Sequence, residues 1–255
     1  MLALQNLSHT YGSKTVLSHL STTLEAGGFY AVMGMNGCGK TTLLRCCAGL
    51  LQPTEGQVLL HNRPLSDYPA RKQAQHMAYL GQQPPADFEF TAYDLVMMAR
   101  NPYQRPLQGA TQKDRTIVEQ ALRKTHTWHL RHALPKEMSG GEQRRVMLAR
   151  TLAQQTPLML LDEPLANLDL SHQFEIMELL RDINLHEGKT ILMALHHIEI
   201  ARRYCPQLIL LHEGRILFQG NTLEGLSPAR IHTVFGSNAT LEAIGTLTLS
   251  PNKRN

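Results

Sequence analysis

The stretch FYAVMGMNGCGKTTLLRCCAGL, residues 29–50, constrains the fold more than any other part of the chain. It opens with a continuous apolar run ending in glycine, FYAVMG, as a buried central strand would. Gly34, Met35, Asn36, Gly37, Cys38 and Gly39 follow, then Lys40, Thr41 and Thr42 open a run with helical spacing that stops near Gly49. The pattern is G-x-x-x-x-G-K-[ST] between a strand and a helix, the setting in which that pattern cradles phosphate. Loop N–H groups would wrap the β-phosphate, and the helix N-terminus adds positive potential. Lys40 would neutralise charge on the β- and γ-phosphates, and the Thr41 hydroxyl would ligate Mg2+. A chance glycine-rich turn is the alternative, and the flanking elements argue against it. The chain is therefore expected to bind a nucleoside triphosphate.

LMLLDEP, residues 158–164, supplies what such a loop needs across the site. A buried strand ending in Asp162 places a carboxylate near the magnesium, and Glu163 follows where the backbone leaves the strand. Two adjacent acids can divide labour, one serving the metal and one polarising a water as general base. Without the phosphate loop they would read as helix-capping acids. MSGGEQRR, residues 138–145, looks like half of a second phosphate site. Ser139 can cap a helix, and Gly140 and Gly141 let backbone N–H groups approach an anion.

Around these motifs the chain alternates strand and helix. The first 33 residues read as short strands, with Leu2, Leu4 and Leu7 as the first alternation, and QVLLHN (57–62) and MAYLG (77–81) read as further strands. From about Pro84 to Arg150 the texture is helical, in TAYDLVMMAR (91–100) and TQKDRTIVEQALRK (111–124), interrupted by Pro102 and Pro106. Strands return in TILMAL (190–195), LILLHEG (208–214) and RILFQG (215–220). The expected fold is α/β: a P-loop NTPase (RecA-like) core with a mainly parallel sheet and antiparallel β elements near the N-terminus. Residues 1–83 and 151–255 would form that core within a single 1–255 domain, and 84–150 an inserted helical subdomain.

Composition excludes several classes. With 42% hydrophobic and 18% charged residues among 255, the chain reads as an ordinary globular protein. No apolar run approaches the roughly 18 residues of a membrane span. The N-terminal MLALQNLSHTYGSK lacks the basic and apolar regions of a signal peptide, which points to the cytoplasm. A net charge of +4 is mild, and Arg144, Arg145 and Arg150 read as a solvated or interface helix face rather than a nucleic-acid stripe. Cys38, Cys46, Cys47 and Cys205 have no metal or disulfide spacing, and Cys46 and Cys47, in an apolar helix pattern, read as buried small hydrophobes. The 13 histidines are scattered, without zinc-ligand spacing.

The phosphate loop, MSGGEQRR, LLDEP and a histidine after a later strand, in this order, resemble the ATP-binding-cassette ATPases over nearly the whole chain. That resemblance implies two copies facing head to tail, with the Ser-Gly-Gly of each closing over the ATP held by the other. It also implies individual roles. Tyr11, otherwise only a turn tyrosine, is similar to the aromatic that stacks on adenine. Gln82 is similar to the glutamine that reaches magnesium and the attacking water, with Gln83 as its neighbouring alternative. Asp169, in LANLD, is similar to the loop residue that communicates between sites, and His196 to the switch histidine that contacts the γ-phosphate. Met138 and Glu142 replace the usual leucine and glutamine of the signature, and His197 stands where an aspartate often follows the switch histidine.

A soluble cassette must drive something else. An exporter would carry membrane spans, and a nucleic-acid or ribosome ATPase would carry two cassettes or a long coiled coil. Neither pattern is present, so the preferred reading is the ATPase subunit of an importer, peripheral at the cytoplasmic face of the inner membrane. Its expected partners are a second copy, permease subunits and, indirectly, an extracytoplasmic substrate-binding protein, with no nucleic acid. MARNPYQ (98–104) and SPARIHTVFGSNAT (227–240) resemble segments of ATPases serving ferric-siderophore, haem and cobalamin uptake. Arg100-Asn101-Pro102 has the plainer reading of a helix end before proline. Residues from about Gln82 to Tyr103 would line the groove that receives the permease.

Overall fold

The computed structural model describes residues 1–81, 89–105 and 109–235. The N-terminal part runs β1 (Leu2–Tyr11), β2 (Lys14–Leu24), β3 (Phe29–Met33), α1 (Lys40–Cys47), β4 (Glu55–Leu60), β5 (Arg63–Pro64), α2 (Ala70–His76) and β6 (Met77–Leu80). Three helices follow: α3 (Ala92–Met97), α4 (Gln112–Lys124) and α5 (Gly140–Ala153). The remainder is β7 (Leu158–Asp162), α6 (Leu170–Glu187), β8 (Thr190–Ala194), α7 (Ile198–Tyr204), β9 (Gln207–His212), β10 (Arg215–Asn221), α8 (Thr222–Gly225) and α9 (Pro228–Phe235).

Two sheets form. The smaller has the order β2-β1-β4-β5 and is antiparallel. Its first hairpin turns through Gly12 and Ser13, with Tyr11 opposite Lys14 and Gly12 at φ 58°, the positive angle a tight hairpin needs. The larger has the order β10-β9-β3-β8-β7-β6, parallel throughout except for the β9–β10 hairpin. The expected parallel core with antiparallel elements near the N-terminus is thus present.

The central strands are continuous apolar runs because both their faces are covered. Phe29, Ala31 and Met33 of β3, Met159 and Leu161 of β7, and Ile191 and Met193 of β8 face a core completed by α6 and α7. Tyr30, Val32, Leu158, Leu160, Leu192 and Ala194 point the other way, into a core shared with α1 and the antiparallel sheet. Cys46 and Cys47 are buried there, and Cys205 in the first core, as small hydrophobes. Burial pushes all three thiols up.

The helices α3, α4 and α5 share a third core built around Val96, Val118, Leu122, Val146 and Ala149. Both α3 and α4 start with a reciprocal Thr–Asp cap, Thr91 with Asp94 and Thr111 with Asp114. The helix expected over 91–100 stops at Met97 and tightens into a 3₁₀ segment, Met98–Tyr103, containing Pro102. Arg100, expected on a groove lining, is instead 4% exposed. Its Nε donates to Asp114 Oδ1 at 2.9 Å and its Nη1 to the Ala153 carbonyl at 2.8 Å. The Tyr103 ring covers the guanidinium, 4.2 Å from its central carbon. Arg100 therefore bolts the 3₁₀ segment to α4 and to the end of α5.

Candidate active site

The phosphate loop sits between β3 and α1, at the carboxyl edge of the parallel sheet. Gly39 opens the helix at φ 107°, and a side chain there would meet Leu17 Cδ2 at 2.6 Å and the Val16 carbonyl at 3.0 Å. Only glycine fits. Lys40 is buried, and its ammonium donates to the carbonyls of Gly34 at 2.8 Å and Met35 at 3.0 Å, lying across the loop. Cys38 is buried behind the loop, with its thiol pushed up by burial.

Asp162 ends β7 one strand beyond β8 and is fully buried. The Thr41 hydroxyl donates to its Oδ1 at 3.2 Å, and the Tyr79 hydroxyl to its Oδ2 at 3.3 Å. Burial drives the Asp162 carboxyl up and the Glu163 charge adds to it, against the Thr41 and Tyr79 hydrogen bonds and the Arg144 charge; the net direction is upward. Glu163 stands at φ 51°, a left-handed conformation rare outside glycine. Its Oε1 meets His196 Nε2 at 2.6 Å, just beyond the end of β8. Glu163 and His196 line one cleft of about 500 Å³ with Tyr11, Asn36, Gly37, Lys40, Thr41 and Thr42. Tyr11 is 46% exposed, its ring edge-on to His9 with centroids 4.6 Å apart. Gln82 and Gln83 lie outside the described residues.

Ser139, Gly140, Gly141 and Asp169 are not brought to that cleft. They line a second one, of about 500 Å³, with Asn167 and His172. Ser139 caps α5 as its sequence suggests, accepting from Glu142 N at 3.3 Å, while Glu142 Oε2 accepts from Ser139 N and Oγ, each at 2.8 Å. Glu142 at the signature's last position thus completes a capping box. Gly141 lies against the loop after β7, where a side chain would come 3.0 Å from the Asn167 carbonyl. Asp169 caps α6, accepting from His172 N at 2.9 Å and meeting His172 Nδ1 at 2.8 Å. The His172 contacts and the Ser171 hydroxyl hold its carboxyl at about 2.

Two residues of this region escape the sequence reading. Tyr79 passes there as an ordinary strand residue. Arg144, read with Arg145 and Arg150 as part of a solvated or interface face, is 2% exposed. Its guanidinium donates to the carbonyls of Gly81 and Asp162, and to that of Glu163 at 2.7 Å. The helix phase carried the signal, because Arg144, Leu148 and Thr151 stand at i, i+4 and i+7 on one buried face.

A glycine-rich loop between a strand and a helix, facing an acid pair at the end of a nearby parallel strand, defines a P-loop NTPase. The chain belongs to the ABC transporter family, whose profile matches residues 17–166. It is an ATP-binding, ATP-hydrolysing cassette of that family. It is 40% identical over 231 residues to the achromobactin transport ATP-binding protein of Dickeya dadantii, covering 91% of this chain and 86% of that one. With the ferric enterobactin transport ATP-binding protein of Escherichia coli it shares 35% identity over 232 residues, at 91% and 86% coverage. Among solved structures it is similar to the dimeric bacterial ABC transporter cassette MJ0796, with a TM-score of 0.81, 28% identity, and coverage of 87% and 99%. Among the described residues, no helix is long and apolar enough to cross a membrane.

Proposed function

We propose that this chain is the ATP-hydrolysing subunit of an importer for a ferric siderophore, with haem and cobalamin the next candidates. Two copies would work head to tail beneath a pair of permease subunits. The observation that carries this reading is that the phosphate-loop residues and the signature residues line two separate clefts. Lys40, Thr41, Glu163 and His196 share one cleft, whereas Ser139, Gly140 and Gly141 line another. A two-fold arrangement supplies each copy's phosphate loop with the other's signature, giving two composite sites. The cargo assignment is supported by the names of the relatives, which concern achromobactin and ferric enterobactin transport.

In this mechanism Tyr11 stacks on adenine and the loop N–H groups hold the phosphates. Lys40 turns from the Gly34 and Met35 carbonyls toward the γ-phosphate. The Thr41 hydroxyl and Asp162 carboxylate converge beside the loop, a hard-oxygen pair suited to Mg2+, with Gln82 as a further ligand. When bound, Mg2+ offsets charge on the β- and γ-phosphate oxygens. Glu163 takes a proton from the attacking water as its oxygen bonds to the γ-phosphorus and the bond to the ADP oxygen breaks. His196, hydrogen-bonded to Glu163, orients that carboxylate and contacts the γ-phosphate. Asp169 would communicate between the two sites. Closure of the pair then biases the permease, and phosphate release resets it.

Residues 84–150 would form the inserted subdomain that meets the permease at the cytoplasmic face of the inner membrane, and an extracytoplasmic binding protein would deliver cargo. The deciding experiment is uptake by cells lacking this chain, complemented with wild type or Glu163→Gln and offered labelled ferric siderophores, haem and cobalamin separately. Restoration of a ferric siderophore by wild type alone is expected. Uptake independent of the chain for all of these cargoes refutes the cargo assignment.

A further inference from the structure

A buried arginine with no assigned role joins three parts of the site that are far apart in sequence. Arg144 lies on α5, five residues beyond Ser139, or roughly 7.5 Å along a helix rising about 1.5 Å per residue. Its guanidinium reaches the Gly81 carbonyl, immediately after β6, and the Asp162 and Glu163 carbonyls at the end of β7. These carbonyls project where the parallel ladder ends. A planar guanidinium can serve several acceptors in a fixed fork, which a lysine ammonium cannot. Burying this charge is costly unless its partners are well placed. Burial pulls the Arg144 pKa down to about 10, against the attraction of Asp162 and Glu163.

The Glu163 contact matters most. Glu163 sits at φ 51°, a backbone state that persists only where surrounding structure enforces it. Arg144 holds the carbonyl of that same residue, while the Glu163 carboxylate reaches His196 at 2.6 Å. The direction of the carboxylate is therefore tied to the position of α5, and α5 is capped by the signature serine.

We infer that Arg144 is a positioning residue for hydrolysis: it couples the placement of the Ser139-capped helix to the setting of Glu163 in the same chain. Engagement of Ser139 with a partner's nucleotide would thereby set the general base of the chain's own site. This rests on the proposed roles of Ser139 and Glu163.

The test uses the full-length chain, with phosphate release at saturating ATP, ATP binding at equilibrium, and the thermal midpoint measured for each variant. Arg144→Met is expected to lower kcat by roughly tenfold to a hundredfold, the range that misplacement of a reacting group produces. ATP affinity should stay within about twofold, because the loop, Lys40 and Thr41 are untouched. Arg144→Lys should recover part of the loss. Single-turnover release in a Glu163→Gln background supplies a readout that a merely structural role would not move. There Arg144→Met should cost less than about threefold more, because the group it positions is already disabled.

A wild-type kcat in Arg144→Met, or a loss that multiplies in full with Glu163→Gln, overturns the inference. Should the Met variant fail to fold, the Lys variant decides. A reduced kcat with unchanged ATP affinity supports the coupling, and a wild-type kcat overturns it. The two levels are separable: if Glu163→Gln alone retains wild-type turnover, the general-base reading falls and takes this inference with it. If Glu163→Gln is inactive while the Arg144 variants are normal, only the coupling falls.

Discussion

The buried Arg100–Asp114 pair offers a stability test with an internal control. Asp114 performs two tasks. Its Oδ2 accepts from the Thr111 backbone N–H at 3.0 Å and hydroxyl at 2.7 Å, closing the cap of α4, and its Oδ1 receives Arg100 at 2.9 Å. Asp94 performs the first task alone, capping α3 through Thr91 on an exposed surface. Asp94→Ala should therefore cost about 1 kcal/mol, the usual loss for a cap. Asp114→Ala also strands a guanidinium that is 4% exposed, and losing one partner of a buried pair costs about 3–5 kcal/mol. For a chain of this size each kcal/mol moves the melting temperature by about 2–4 °C, so the expected falls are roughly 2–4 °C for Asp94→Ala and, with cap and ion pair both lost, roughly 8–24 °C for Asp114→Ala. Thermal unfolding followed by calorimetry at neutral pH measures both. Equal shifts would refute the reasoning, since the ion pair would then add nothing to the cap. The pH dependence provides a second check. Burial pushes the Asp114 carboxyl up, but Thr111 and Arg100 outweigh it and the net shift is downward. A depressed folded value contributes stability that is present above the unfolded carboxylate range and lost as pH falls through the folded value. The gap between wild type and Asp114→Ala should accordingly narrow below about pH 4.

Ser139→Arg is expected to bind ATP as a monomer but fail to form an ATP-dependent dimer in light scattering; a dimer in that variant would remove the signature from the partner's site. Gly39→Val places a branched side chain at φ 107° against Leu17 and should weaken ATP binding by about tenfold or more, the left-handed strain alone costing about 1–3 kcal/mol. Normal nucleotide affinity in that variant would contradict the loop geometry. Chelation of Mg2+ should reduce phosphate release to background, and undiminished turnover in chelator would exclude the metal role of Thr41 and Asp162.

Much of the fold was legible because its signals are local. FYAVM, LMLLD and TILMA are nearly continuous apolar runs, the first closed by glycine and the second by acid, the signature of strands covered on both faces. The phosphate loop and the Ser139 cap are equally local, each decided by residues within a few positions of one another. What escaped depends on partners distant along the chain. Arg100 and Arg144 are strongly charged, and charge predicts exposure until a carboxylate or a set of free carbonyls is brought to meet it. Their acceptors come from α4, from the end of α5 and from the ends of β6 and β7, and only the fold assembles them. Tyr79 was hidden in the same way, since nothing beside it announces that its hydroxyl reaches Asp162.

β3 also bears on how such a chain can change over time. Its odd-numbered residues serve one core and its even-numbered residues the other, and it delivers the chain directly into the phosphate loop. Gaining or losing a single residue within it would exchange the side chains beyond the change between the two faces, or else turn the loop away from Asp162. No gradual adjustment exists, because half a step is not available to a strand. Among descendants of a common ancestor, length changes should therefore accumulate in surface connections and be absent from Phe29 through Cys47, so that a sequence alignment of any breadth would run ungapped across that span.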